Sequence, residues 1–576
     1  EAETESEKES AEEESKVESE LESEEETEEE STEDVIEEET EIDEAEEFEA
    51  TSGYYNYSVS NGKAIIKGYN GNESYVTIPS YLGGYPVIKV DYGFGGKTFI
   101  QSVTFPATVT EIGDWAFKGC TGLRFVNFSS GLKKIGEETF YGCLAIQNIT
   151  FPDTLEYIEE YAFYECTALK KVTFPESLKA IGFRTFESTG LTEVTIPASV
   201  KSLGTEAFGY CKSIKTVTIN GAINNWNGGD TFHGCTALKN VYLSDEIELI
   251  GGYAFWDCTA LESINIPKAA KSIQHDAFRN CQKLKSITIP QSVETIDERA
   301  FYNCVSLANV QFSEGLKTIG SSAFRECQEL VNIVTPVSVQ AIQSDAFRNC
   351  DKLKTITIQG ATVIGNSAFR ACDILETVNL SDSIHTIRGE AFAYDVLLKS
   401  IVLPSKLTGI SDGLFRGCTS LKSVTIKDAV TTIGSGSFAS TALESIMLPS
   451  SVTVLSDRAF SGCTQLKKVY LPGSISSFGA YIFEDGEYSW GMSKKEILYV
   501  ERDSMAEEYA KKNGFTYKYI DSNYTGLFNV GGNLWYYQVN GQVQWNYIGL
   551  CQYYGTWYYI NHGVLNWNYS GLVQLD

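Results

Sequence analysis

The chain has few of the residues that usually carry out chemistry. Its 576 residues include four histidines, His233, His275, His385 and His562, which stand at different phases of the repeat described below and form no recurring cluster. No G-x-S-x-G, H-E-x-x-H or phosphate-loop motif occurs, and no carboxylate pair can be picked out from the many acids. Neither an enzyme nor a cofactor is therefore expected. Cysteines never pair as C-x-x-C, so a metal ladder is not expected either. No apolar stretch approaches the roughly 20 residues that span a bilayer, so no transmembrane segment is expected and the chain as given should be soluble. It begins at Glu1 rather than Met, and both ends read as cut. A missing leader is thus no evidence for a cytoplasmic home.

Basic charge is also scarce. Residues 1–50 hold 28 carboxylates against two lysines, which leaves only −6 of the net −32 on residues 51–576. The acidity is local, and nothing points to a nucleic-acid partner. A run such as Glu22 to Glu30 repels itself and has almost nothing apolar to bury, so residues 1–50 are expected to be a disordered spacer.

Repetition is what the chain has in abundance. One unit reads LKSITIPQSVETIDERAFYNCVS, from Leu284 to Ser306, and its Phe recurs eighteen times, from Phe94 and Phe117 to Phe460 and Phe483, at gaps of 22 to 24 residues. Leu284, Ile287 and Ile289 alternate as on a short strand. Pro290 ends that strand because it has no N–H to give to a ladder. Val293 and Ile296 form a second inward pair. Ala300, Phe301, Cys304 and Leu307 then follow at spacings that suit a helical or 3₁₀ turn. Such a coil cannot bury three apolar edges alone, and stacking buries them against its neighbours. A solenoid over residues 89–498 is expected, of the α/β repeat class, with short parallel strands and short helical or 3₁₀ turns.

Both ends of the stack should be capped. Residues 51–88 read as capping strands separated by Asn-Gly turns. Residues 499–523 read as the rest of a strand–helix–strand cap that begins with ILYV, with a capping box at Ser504–Glu507 and a stop at Gly514. The L-x-x-V-x-I-P…I…AF…C unit resembles the BspA-like leucine-rich repeats over roughly residues 51–521. That resemblance implies a leucine-rich-repeat solenoid in a secreted or surface-attached bacterial protein. It also implies adhesion to host matrix or to other cells.

Thirteen of the 14 cysteines stand three residues after a repeat Phe. A fixed phase makes a column of side chains filling the same slot, so these are expected to be buried, reduced packing residues rather than disulfides. Many reduced thiols outside a cell would fit an anaerobic habitat. The residue between the last two inward strand positions, from Thr104 and Asn127 to Met447 and Tyr470, should face outward. That column reads either as a flat face for an extended partner or simply as strand-favouring threonines. Directly after the repeat Phe, Arg279, Arg325, Arg348, Arg370 and Arg416 share one phase and form a candidate polyanion or sialylated-glycan stripe. Neighbouring acids such as Asp276 and Asp345 could neutralise it.

From residue 524 to 576 the composition changes. Two copies, 524–546 and 547–568, carry W-Y-Y-x-x-N-x-G, a strand–turn–strand pattern with turns at Asn540-Gly541 and Gly563. These β-hairpin repeats look like the aromatic cell-wall-binding repeats of Gram-positive surface proteins, a class that includes the choline- and glucan-binding repeats. Tyr-x-Gly-Leu replaces their Gly-Trp, which puts choline itself in doubt. The resemblance implies Trp535, Tyr537, Trp545, Trp557, Tyr559 and Trp567 as ligand-facing aromatics, although such rings also pack hairpins together. The leading expectation is a non-enzymatic, adhesin-like protein on the surface of, or secreted by, an anaerobic Gram-positive bacterium. The aromatic repeats would hold cell-wall polysaccharide or a teichoic-acid-type polymer, and the solenoid a host or bacterial surface protein or glycan. The alternative is a secreted glucan-binding factor with the solenoid as scaffold.

Overall fold

The computed structural model describes residues 48–224, 226, 229–484, 497–521, 525–531, 534–539, 542–544, 549–553, 556–561 and 564–565. The acidic segment up to residue 47 and the turns expected at Asn540-Gly541 and Gly563 lie outside the described residues. The first strand, Phe48–Ser52, begins inside the stretch expected to be spacer.

Each coil has three sides. The first is a strand of two to four residues, such as Ser286–Ile289, which pairs in parallel with Asn309–Phe312 of the next coil. The second is a two-residue strand, such as Thr295–Ile296, paired on either side with Ser272–Ile273 and Thr318–Ile319. Leu284, Ile287, Ile289, Val293 and Ile296 all point inward and are buried, as the alternation requires.

The third side corrects an expectation. The segment carrying Ala300, Phe301 and Cys304 is a run of single hydrogen-bonded turns, not a helix or a continuous 3₁₀ segment. Arg299 and Asn303 lie in the left-handed region (φ 53° and 57°), which breaks any helical run. Alternate N–H groups then reach different partners. Those of Arg299, Phe301 and Asn303 donate to Ser321, Ala323 and Arg325 of the next coil at 2.8–2.9 Å, while Ala300, Tyr302 and Cys304 donate three residues back at 2.9–3.3 Å. Bonds between coils thus satisfy a backbone that a helix would have satisfied internally. Among the described residues the only α-helix is Met505–Asn513.

Inside, the repeat phenylalanines form one continuous ladder. Every step from Phe94 to Phe483 stacks ring on ring with centroids 4.8–5.9 Å apart, the spacing that strand pairing imposes. Tyr69 closes the ladder at one end, 4.8 Å from Phe94, and Phe515 at the other, edge-on to Phe483. Tyr69 comes from the antiparallel strands Tyr55–Ser60 and Lys63–Tyr69, which turn through left-handed Asn61 and Gly62. Phe515 follows the closing helix. That helix starts at N-cap Ser504, whose hydroxyl accepts from the Glu507 amide, and stops at Gly514 in the left-handed conformation that glycine adopts at little cost.

Sequence reading missed Trp226. The ladder of two-residue strands that ends at Ser202–Leu203 resumes at Leu249–Ile250, and fully buried Trp226 lies in the intervening coil with Nε1 donating to Thr231 Oγ1 at 3.1 Å.

Candidate functional site

The thirteen column cysteines are free and buried. Each Sγ donates to the carbonyl oxygen of the preceding coil's Phe at 3.0–3.3 Å, as Cys304 does to Phe278. Burial pushes these thiols up, Cys120 to about 11 and Cys304 to about 12, so they remain protonated donors. The column is therefore structural, and it carries hydrogen bonds that the packing argument had not foreseen. Where cysteine is missing, Thr189 and Thr441 keep a hydroxyl in contact with the next thiol, and Asp395 brings in a buried carboxyl.

The arginine stripe exists as a column but carries its own counter-charges. Arg279 Nη1 lies 3.2 Å from buried Asp276, Arg348 Nη1 lies 3.2 Å from Asp345, and Arg325 Nε lies 3.8 Å from Glu326. Arg370 and Arg416 share Glu390, at 2.7 and 3.3 Å. Of the rings in the same column, the sequence shows Tyr302 interrupting the arginines, but His233 and Trp256 were not recognised. His233 stacks on Trp256 at 4.3 Å, and the Arg279 guanidinium lies between Trp256 and Tyr302 at 5.3 and 5.2 Å. The signal was available, since these residues share the phase of the arginines. The arginines of this stripe therefore meet acids and ring faces of their own chain.

The strand side differs, because its outward residues face solvent over most of the array. Two outward columns run along it, one through Asn309 and Asn332 and the other through Gln311 and Val334. The strands Asn309–Phe312 and Asn332–Val334 belong to separate ladders, and a groove of about 680 Å³ opens where they meet. Asn309, Gln311, Asn332, Val334, Pro336 and Gln359 help to line it. Val334 and Val402 are more than half exposed, at 55 % and 57 %.

Towards the C-terminus the same column is buried. Met447 is 7 % exposed and Tyr470 4 %, and Thr425 is enclosed as well. The aromatic module covers them. Gln538 Nε2 lies 3.9 Å from Met447 Sδ, and Tyr536 is wholly buried, its phenol pushed up by burial with Thr425 opposing that push. Strand alternation therefore splits Leu534–Val539. Tyr536 and Gln538 turn to the solenoid, while Trp535 and Tyr537 pack against the module's small core of Leu527, Cys551, Ile560 and Leu565. Of the other candidate aromatics, Tyr559 is half-buried on Thr556–Asn561, and Trp557 lies on that strand. Trp545 and Trp567 lie outside the described residues. Sequence reasoning missed Tyr536 and Gln538 because nothing in a two-residue alternation says which face meets the solenoid.

The stacked parallel strands, the inward Leu/Ile positions and the near absence of helix among the described residues define a leucine-rich-repeat β-solenoid. The chain belongs to the BspA type leucine rich repeat family, whose profile matches residues 90–215, 210–315, 271–398 and 386–489. No curated protein sequence matches it significantly. Among solved structures it is similar to a leucine-rich repeat protein from Bacteroides ovatus, at 24 % identity over 84 % of this chain and 100 % of that one, with a TM-score of 0.38. A leucine rich cell surface protein from Faecalibacterium prausnitzii shows 28 % identity over 66 % of this chain and 94 % of its own, with a TM-score of 0.35. The pneumococcal vaccine antigen PcpA shows 18 % identity over 82 % and 98 %, with a TM-score of 0.28.

Proposed function

We propose that this protein is a non-enzymatic bacterial surface or secreted binding protein, adhesin-like in action. In this reading the open part of the strand side contacts a protein or glycan on another surface, and the aromatic module attaches the chain to cell-envelope polysaccharide. One contrast carries the reading. The interior is filled by apolar side chains, and the arginine stripe carries its own counter-charges, but the strand side leaves Val334 exposed at an amide-lined groove and Val402 exposed further along the same column. Stacked coils present such a surface as a long rigid array, which suits extended partners. Membership of a family whose members are mostly secreted or surface-attached agrees with it.

The test compares the full chain with Val334→Arg and Val402→Arg on a host-matrix protein array and on intact cells. Binding by the native chain and its loss in the variants is expected. Variants that bind as well as the native chain would remove the strand side from consideration. For attachment, a chain ended after Ile520 should lose retention on purified cell walls. Equal retention would sink the anchoring role and favour the second reading, a secreted glucan-binding factor with the solenoid as scaffold. The aromatic richness of residues 524–576 favours that reading.

A further inference from the structure

The strand side holds a second feature, near its N-terminal end. Tyr75 is 69 % exposed and Phe125 is 62 % exposed, although rings of this size are normally withdrawn from water. They are in register. Tyr75 pairs with Ser102 and Ser102 with Phe125, so both rings rise from one outward column with a single small residue between them. At about 4.8 Å per strand, the two backbones are about 10 Å apart.

Tyr470 and Tyr499, paired on neighbouring strands of this side, stack face to face at 4.3 Å and 19°. Tyr75 and Phe125 therefore resemble two rungs of such a stack with the middle ring missing and a serine in its place. Two strand spacings are the backbone separation that one ring stacked between two others would need. Its surroundings describe the ligand further. The strands Tyr75–Thr77, Ser102–Thr104 and Phe125–Asn127 contain no charged residue, and the nearest charges along the chain, exposed Glu73 and Arg124, are of opposite sign and precede the strands. Hydroxyl and amide groups line the adjacent outward column at Thr77, Thr104 and Asn127. Asn127 Nδ2 donates to Thr104 Oγ1 at 3.1 Å, which leaves the threonine hydroxyl proton to donate elsewhere. Two aromatic rings, a hydroxyl floor and strands free of charge match a neutral sugar ring, whose C–H faces stack on aromatic rings while its hydroxyls exchange hydrogen bonds.

We propose that Tyr75 and Phe125 clamp one pyranose ring of a neutral polysaccharide over Ser102. This rests on the strand side being the binding surface, and it names the ligand class for that surface's N-terminal end.

The test uses the full chain in affinity electrophoresis and calorimetry with soluble β-1,3-glucan, cellohexaose and maltohexaose. At least one should bind. Tyr75→Ala and Phe125→Ala should each weaken it by about two- to tenfold, the range expected for losing one ring contact. Ser102→Phe should weaken it as much by filling the slot, and Tyr75→Phe should retain it. All three positions are outward-facing, so unchanged thermal unfolding will show that the fold is intact. Absence of binding to every glycan overturns the clamp, as does binding that survives both alanine variants, which would be assigned to the aromatic module. Capture of an aromatic-rich peptide instead would make the slot a protein site and overturn the sugar assignment. Because these variants leave Val334 and Val402 untouched, the clamp and the wider binding role fail separately.

Discussion

The amide of Cys372 donates to Asp395 Oδ1 at 2.9 Å inside the cysteine column, where a carboxyl stands in place of the next thiol. Asp395 is fully enclosed, no cation pairs with it, and its Oδ2 has no hydrogen-bond partner. Burial holds its carboxyl well above the usual aspartate range. The folded chain therefore keeps a proton that the unfolded chain releases above about pH 4, and stability falls as pH rises from there. Asp395→Cys, which restores the column, should raise the melting temperature at pH 7 and gain about 1–3 kcal/mol, with the gain shrinking towards pH 4. Melting curves across that range check it, and a pH-independent difference would contradict the account.

Thiol chemistry should report the same column. With every column Sγ buried and donating to a carbonyl, none of the thirteen should react with Ellman's reagent until the chain unfolds. Cys304→Thr should cost less than about 1.5 kcal/mol, because the slot already accepts threonine at Thr189 and Thr441. Cys304→Leu should cost about 1–3 kcal/mol through overpacking. Denaturant unfolding of the two variants decides the order, and equal costs would mean that the slot is not tight.

The described contacts between the aromatic module and the solenoid include Tyr536 and Gln538. Tyr536→Ala and Met447→Arg should each free it, making residues 520–525 a site of rapid proteolysis while the solenoid stays resistant. Unchanged cleavage in both variants would show that the contacts through Thr425 and Gln538 do not hold the module.

Acid should loosen the closing helix. Glu507 accepts from the Asp503 amide and the Tyr519 hydroxyl, each at 2.8 Å, and pairs with Lys511 at 2.6 Å. These partners, Lys511 foremost, hold its carboxyl at about 2. Its contribution is therefore complete above about pH 4.5 and is lost as pH falls towards 2. Amide hydrogen exchange over Met505–Asn513 should be faster in Glu507→Gln than in the native chain at pH 5, and the two should converge near pH 2. A difference that persists at pH 2 would point to packing rather than charge.

Much of this structure is legible in one dimension because the repeat is local. Each coil meets only its neighbours, so the phase of Phe301 predicts the place of Phe278 and Phe324, and the same logic locates the cysteine and arginine columns. The turn side was misread for a physical reason. Spacings of three fit a helical turn, and only the left-handed Arg299 and Asn303 with their bonds to the next coil exclude it. Charge compensation in the arginine stripe was weighed from Asp276 and Asp345, but the sharing of Glu390 between Arg370 and Arg416 needed three dimensions.

The sequence by itself determined the solenoid, its inward residues, its buried cysteines and the helix that closes it, because these depend on periodicity and on capping residues a few positions apart. Only the tertiary structure decided that Tyr536 and Gln538 cover Thr425 and Met447, that Trp535 and Tyr537 turn inward, and that Tyr75 and Phe125 stand open across Ser102. Those relationships depend on which face of a strand meets another element, or on which residues share a register across coils. Side-chain alternation offers two faces of equal standing, and only packing chooses between them.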